Sequence, residues 1–104
     1  MKSGNIKDAR MSGLLIRLVA EYIHREATTQ SLITVRRVEL EDFGKQATIF
    51  ISVLPENMER PALAFVEHHL RELRDYVRDK SDLHTLPHFS VILDPEAKRE
   101  IVEE

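Results

Sequence analysis

The stretch LITVRRVELEDFGKQATIFISVL, residues 32–54, decides how this chain folds. Two runs rich in Ile, Val, Thr and Phe flank a charged segment that contains one glycine, Gly44. Such runs predict the two strands of a hairpin, at about 33–40 and 47–54. Gly44 lies in the connection, where a positive φ costs a glycine little. An arginine pair, Arg36 and Arg37, lies in the middle of the first strand. The sheet could therefore serve only to close a core, or it could also present basic side chains to a partner.

The first predicted strand changes its alternation partway along, whereas the second alternates without a break from Ala47 to Val53. Side chains alternate strictly between the two faces of a strand, so a change of parity requires an extra residue. The sequence therefore predicts a β-bulge near Arg36 and Arg37. The apolar residues that define the change are Ile33 and Val35 before it and Val38 and Leu40 after it.

Helical periodicity flanks the hairpin on both sides. Apolar residues recur at helical intervals from Met11 to about Ala27, which predicts an amphipathic helix. Pro55 ends the second strand, and Pro61 suits the first turn of a long helix from about Arg60 to Lys80. The apolar arc of that helix consists of Ala62, Val66, Leu70, Leu73 and Val77, with Leu63 at its edge.

A third strand is predicted at about 88–93, and Asp94 followed by Pro95 favours the start of a short C-terminal helix. The long helix connects the second and third strands, and such a crossover returns the third strand parallel to the second. The sequence thus predicts an α+β fold, α-β-β-α-β, in which helices cover one face of a mixed three-stranded sheet. We expect a flexible N-terminal arm at 1–9 and one domain at 10–104.

Composition narrows the classes of protein that this chain can be. The chain has 104 residues, no cysteine and a formal net charge of −3. Disulfides and thiolate metal sites are therefore excluded, and the mildly acidic charge gives no general attraction to nucleic acid. The N-terminus lacks the apolar segment of a signal peptide, and no apolar run approaches the ~20 residues needed to span a bilayer. We expect a cytoplasmic, monomeric protein that does not associate with membranes.

Basic residues concentrate beside the predicted core. On the long helix, four arginines follow one margin of the apolar arc and are interrupted only by Glu67. One interpretation is a footprint for RNA phosphates. The alternative is structural: arginine stems cover the edge of a core while their heads lie in solvent or pair with acids, and charges on an edge strand discourage aggregation. The candidate RNA-binding residues are Arg36, Arg37, Lys45, Arg60, Arg71, Arg74, Arg78, Lys80 and His84.

The histidines raise the alternative of a metal-dependent enzyme. Adjacent His68 and His69 diverge by about 100° around a helix, so they do not readily face one ion. No two histidines of a predicted helix have the i, i+4 spacing of helical zinc sites. No nucleophile motif or phosphate-binding glycine loop occurs either. We therefore predict a protein without catalytic residues, bound metal or cofactor.

The predicted order of elements is that of the type II KH arrangement, an RNA-binding architecture. Several stretches, taken in order, also resemble bacterial ribosome-binding factor A. They are IHREATTQSLITVRRVEL at 23–40, ATIFISVL at 47–54, LHTLP at 83–87, FSVILD at 89–94 and LDPEAKREIVEE at 93–104. The resemblance covers about residues 10–104, and its specificity lies in the order and spacing of these stretches.

The resemblance implies a factor that binds the immature small (30S) ribosomal subunit, contacts its 16S rRNA and assists late maturation without catalysis. Members of that family have an Ala-x-Gly kink in the long helix, where this sequence has His69 and Arg71. Neither that kink motif nor a Gly-x-x-Gly loop is present, and the residue pattern predicts one helix over 60–80. The alternative function is a small KH-fold module for protein–protein interaction that does not bind RNA.

Overall fold

The structure is a computed structural model and describes residues 6–27 and 29–97. Helix α1 spans Ile6–Glu26 and precedes a hairpin of β1, Leu32–Glu41, and β2, Gln46–Leu54. A short 3₁₀ turn, Glu56–Met58, leads to α2, Glu59–His68, and α3, Leu70–Lys80, and β3 spans His88–Leu93. The predicted α+β class and the order of elements are confirmed. None of the described helices has the length and apolar character that crossing a membrane requires.

The apolar periodicity predicts too late a start for the first helix. This helix begins at Ile6 instead of Met11, so residues 6–9 of the expected arm are helical. At the other end of the chain, residues 95–97 form a helical turn as predicted. The rest of the expected C-terminal helix, 98–104, lies outside the described residues.

The sheet has the order β1-β2-β3, with β1 antiparallel to β2 and β2 parallel to β3. The register between β1 and β2 shifts between Val35 and Arg37, so Arg36 is the bulged residue. This confirms the predicted β-bulge. The extra residue restores the inward orientation of the apolar side chains, and Val38 is buried in the core.

Helices cover one face of the sheet, as the alternation predicts. Ile49, Ile51 and Val53 of β2 are buried beneath the helices. The residues that alternate with them, Thr48, Phe50 and Ser52, lie on the open face. Burial of the apolar side chains supplies the main driving force for folding. The other buried core residues are Leu15, Leu18, Val19, Tyr22 and Ile23 of α1, Val38 of β1, Ala47 of β2, Ala62, Val66, Leu73 and Val77 of α2 and α3, and Phe89 and Val91 of β3.

The helix expected over 60–80 is present, but it is broken at His69 into α2 and α3. The backbone N–H of His69 donates to both Val66 O, at 3.0 Å, and Phe65 O, at 3.2 Å. Its imidazole Nδ1 also lies 2.8 Å from Phe65 O, and the centroid of its ring lies 4.3 Å from the centroid of the Phe65 ring. A side chain that inserts into the ladder of i→i−4 bonds is a recognised cause of a break. No glycine or proline is involved at this position.

Candidate nucleic-acid interface

Three of the candidate arginines, Arg71, Arg74 and Arg78, lie on one exposed side of α3. Their positions fall within about 60° of one another around the helix axis, so their heads are on successive turns. The break at His69 places Arg60 on a different helix, α2. The predicted stripe of four arginines is therefore divided into three on α3 and one on α2.

Arg74 holds the segment that leads into β3. Its Nε lies 3.4 Å from Pro87 O, and its Nη2 lies 3.4 Å from Leu86 O. At the start of the same segment, Ser81 Oγ donates to Val77 O at 2.8 Å and accepts from the N–H of Leu83 at 3.3 Å. The segment 81–87 thus packs along α3, and it carries His84 exposed to solvent.

The other cations of α3 differ in their partners. Arg78 Nη1 lies 3.0 Å from Asp75 Oδ1, and its Nε lies 3.6 Å from Asp79 Oδ1. Lys80 Nζ lies 5.7 Å from the centroid of the Tyr76 ring. The side chain of Arg71 makes no ion pair or hydrogen bond with any other residue in the described part of the chain. It is therefore the α3 arginine with the most readily available charge.

Lys45 joins this surface from the hairpin. Its carbonyl oxygen accepts a hydrogen bond from the N–H of His88 at 2.8 Å, so the hairpin tip adjoins the start of β3. Arg74 binds the carbonyl of Pro87, immediately before that point. Lys45 and Arg74 thus flank the start of β3 at one end of the molecule. We call the set Lys45, Arg71, Arg74, Arg78 and His84 the basic end. Lys80 is not part of it, because its ammonium lies against Tyr76, on the side of α3 that packs on α1.

The arginine pair of the β1 bulge has a different environment. Arg37 Nη1 lies 3.0 and 3.1 Å from the two carboxylate oxygens of Asp94, and Arg36 Nε lies 3.4 Å from one of them. The Arg37 guanidinium also lies 3.9 Å from the centroid of the Phe50 ring, on the open face of the sheet. Both side chains thus reach across β2 to the residue that follows β3. Their role as RNA contacts remains a prediction, and the structure gives both of them an acidic partner.

Asp94 is fully buried at its side chain. Burial alone raises the pKa of a carboxyl group, but here the N–H of Glu96 and the guanidinium groups of Arg37 and Arg36 outweigh burial and hold the pKa of Asp94 below its usual range. The carboxylate accepts the N–H of Glu96 at 3.1 Å, which makes Asp94 the N-cap of the turn at 95–97. The sequence predicts this cap from Asp94 and Pro95, but no local pattern indicates the arginine partners.

The opposite side of α3 is fixed to α1 by two tyrosines that are not among the candidate RNA-binding residues. Tyr22 OH donates to Glu72 Oε1 at 2.8 Å, and Tyr76 OH donates to Glu21 Oε1 at 3.2 Å. Burial and the adjacent Glu72 carboxylate raise the pKa of Tyr22 well above its usual value. Tyr76 lies about 200° around the helix from Arg74. The packing of α3 against α1 therefore leaves the arginines on the side that faces away from α1.

The described residues contain no group of three metal-ligating side chains close enough to hold an ion. His69 packs at the helix break, whereas His84 and His88 are exposed near the start of β3. The chemistry that the basic end can perform is the binding of anionic groups through guanidinium and ammonium donors.

No family model matches the sequence, and a search of curated proteins gave no significant match. Solved structures share the fold. The crystal structure of ribosome-binding factor A from Thermus thermophilus has a TM-score of 0.74 and 23% identity, over 83% of this chain and 93% of that chain. The solution NMR structure of a Thermotoga maritima protein, described as a candidate ribosome-binding factor A, has a TM-score of 0.73 and 16% identity. The likeness covers 90% of this chain and 92% of that chain.

A further similar structure comes from a ribosomal complex. Coordinates of Thermus thermophilus ribosome-binding factor A, fitted into a cryo-EM map of its 30S complex, have a TM-score of 0.74 and 22% identity. The likeness covers 86% of this chain and 97% of that one. At these identities the likeness establishes the fold.

Proposed function

We propose that this protein is an assembly factor that binds the immature small ribosomal subunit, contacts its 16S rRNA and assists its late maturation. The observation that carries this proposal is the fold, which superposes over most of the chain on ribosome-binding factor A structures. One of those similar structures was fitted into the map of a 30S complex. The protein acts by binding, and its proposed role requires no catalytic residue.

The basic end is the surface that we assign to the RNA. It presents cations from the hairpin, from α3 and from the segment 81–87, which three separate contacts hold together. Groups on rigid elements bind phosphates without first losing much conformational freedom. Phosphate contacts supply affinity that does not depend on sequence, so this surface recognises the backbone and shape of the rRNA.

The alternative is a KH-fold module that binds another protein. The observation in its favour is the pairing of several candidate cations with acids, since Arg36, Arg37 and Arg78 all have a carboxylate partner. The net charge of −3 also favours the protein-binding alternative. A protein interface tolerates such compensated charges at its rim, whereas phosphate binding needs free cations.

Co-sedimentation distinguishes the two functions. The purified protein is mixed with immature small subunits, with mature small subunits and with large subunits, and each mixture is centrifuged through a sucrose cushion. The proposal predicts that the protein pellets with the immature small subunits and much less with the large ones. Failure to pellet with any small-subunit particle would contradict it, and capture of another protein by the same sample would favour the interaction module.

A further inference from the structure

The tip of the hairpin carries the most exposed apolar side chain in the described part of the chain. Phe43 is 98% exposed, compared with 61% for Leu32 and 52% for Leu54. An aromatic ring of this size is ordinarily placed in a core or at an interface. Full exposure at the end of a projecting hairpin makes the whole ring available to a partner.

The backbone that presents Phe43 is in an uncommon conformation. Asp42, Phe43 and Gly44 are three successive residues with positive φ, of 55°, 56° and 83°. Gly44 adopts this region freely, but it is unfavourable for a bulky residue such as Phe43. Strained backbone of this kind is concentrated at binding sites.

Hydrogen bonds fix the turn that holds the ring. The N–H of Gly44 donates to Glu41 O at 3.1 Å, and the N–H of Lys45 donates to Asp42 O at 3.0 Å. The N–H of His88 then ties Lys45 O to the start of β3. The ring therefore projects from a bonded turn, which reduces the entropy lost when a partner binds.

The surroundings of Phe43 indicate the type of partner. Its neighbours in the turn and at the strand ends, Glu41, Asp42, Lys45 and Gln46, are all polar and exposed. A protein interface needs a contiguous apolar centre, which one isolated ring does not supply. A nucleobase, in contrast, needs only one flat π face of similar size. Lys45 places the ring beside the basic end, within reach of the same RNA backbone.

We propose that Phe43 is a stacking platform for one unpaired base of the RNA in the small subunit. The inference rests on the proposed function and adds a specific contact to it: the basic end binds the phosphates, and the hairpin tip binds a base that is splayed out of its helix. Stacking on an aromatic side chain is tolerant of base identity, so the contact selects single-stranded RNA more than a particular sequence.

The chain has no tryptophan, so Phe43→Trp introduces a single fluorescent reporter at the site. Immature small subunits are titrated into this variant, and co-sedimentation is measured for Phe43→Trp, Phe43→Leu and Phe43→Ala. Leu32→Trp is the matched control, because Leu32 is exposed at the opposite end of the hairpin, about 30 Å from the tip. Thermal melting verifies that each variant is folded.

The inference predicts that Phe43→Trp binds as the parent does and that base stacking quenches its emission. The emission of Leu32→Trp should not change. Phe43→Ala and Phe43→Leu should both lose affinity, by roughly 5- to 150-fold. Parent-like affinity of Phe43→Leu would overturn the inference, because an apolar pocket accepts leucine and a base-stacking site does not.

Parent-like affinity in all three Phe43 variants, without quenching, would also overturn the inference while leaving the proposed function intact. If the parent protein itself does not pellet with small subunits, both are wrong.

Discussion

Arg37 and Asp94, 57 residues apart in the sequence, are joined by two short contacts: Arg37 Nη1 lies 3.1 Å from Asp94 Oδ1 and 3.0 Å from Oδ2. The Asp94 side chain has no exposed surface, whereas that of Arg37 is one-third exposed. The pair connects the bulge of β1 to the residue after β3 across the intervening strand. An isolated buried carboxylate is costly, so the arginines stabilise Asp94 in its charged form.

Replacing Asp94 with asparagine should therefore destabilise the protein by about 1–3 kcal/mol at pH 7, since charge-assisted hydrogen bonds are lost. Asparagine keeps the capping function, so the change isolates the charge. Because folding lowers the pKa of Asp94, its charge stabilises the fold above the ordinary pKa near 3.8 and stops doing so as the pH falls through the lowered value. Urea unfolding at pH 7, 5 and 3 should show the two proteins converging at low pH.

Asp75→Asn is the control for this prediction. Asp75 pairs with Arg78 at the surface, where both side chains are more than half exposed. Its replacement should change the unfolding free energy by less than about 0.5 kcal/mol. A difference between the parent and Asp94→Asn that does not vary with pH would show that the charge of Asp94 is not the stabilising feature.

Two glycines should respond to alanine with opposite signs. Gly44 has a φ of 83°, and a Cβ added there meets no atom within 4 Å, so the penalty comes from the backbone alone. Gly44→Ala should lower the free energy of unfolding by about 1 kcal/mol. Gly13 lies within α1 with equally open surroundings, and Gly13→Ala should raise it by about 0.5–1 kcal/mol. Denaturant unfolding of both variants checks this, and changes of the same sign would refute it.

The two adjacent histidines of the helix break should also differ. His69→Ala removes the imidazole bond to Phe65 O and the contact with the Phe65 ring, and should cost about 1 kcal/mol of stability. His68 is exposed, so His68→Ala should change stability by less than about 0.5 kcal/mol. A His69→Ala protein at least as stable as His68→Ala would mean that the imidazole does not support the break.

The sheet could be predicted because the period of alternation is a local property. Even the bulge is visible in the sequence, since Val35 and Val38 can both face the core only if one extra residue lies between them. The helix break could not be predicted in this way. The apolar spacing of Val66, Leu70 and Leu73 continues across His69, and the break depends on a side chain that bonds to a carbonyl four residues earlier.

For the site, the sequence indicates which residues carry charge but not what each charge contacts. Arg37 donates hydrogen bonds to Asp94, and Arg74 donates to backbone carbonyl groups, which no residue pattern identifies as partners. Long-range partners of this kind depend on how strands and loops are placed relative to one another. Arg71, whose side chain lacks a partner among the described residues, has the same local context as its paired neighbours.

The most direct test of the account is the salt dependence of binding to immature small subunits. The double variant Arg71→Glu, Arg78→Glu reverses two charges of the basic end, and Arg10→Glu, Arg17→Glu makes the same change in net charge on α1. Dissociation constants are measured between 50 and 200 mM salt. We expect the first variant to bind at least about tenfold more weakly, with a plot of log K against log salt that is shallower by about 1.4–1.8, because two phosphate contacts are lost. The α1 variant should match the parent. Equal losses in the two variants, or an unchanged slope in the first, would contradict the assignment of the basic end to RNA.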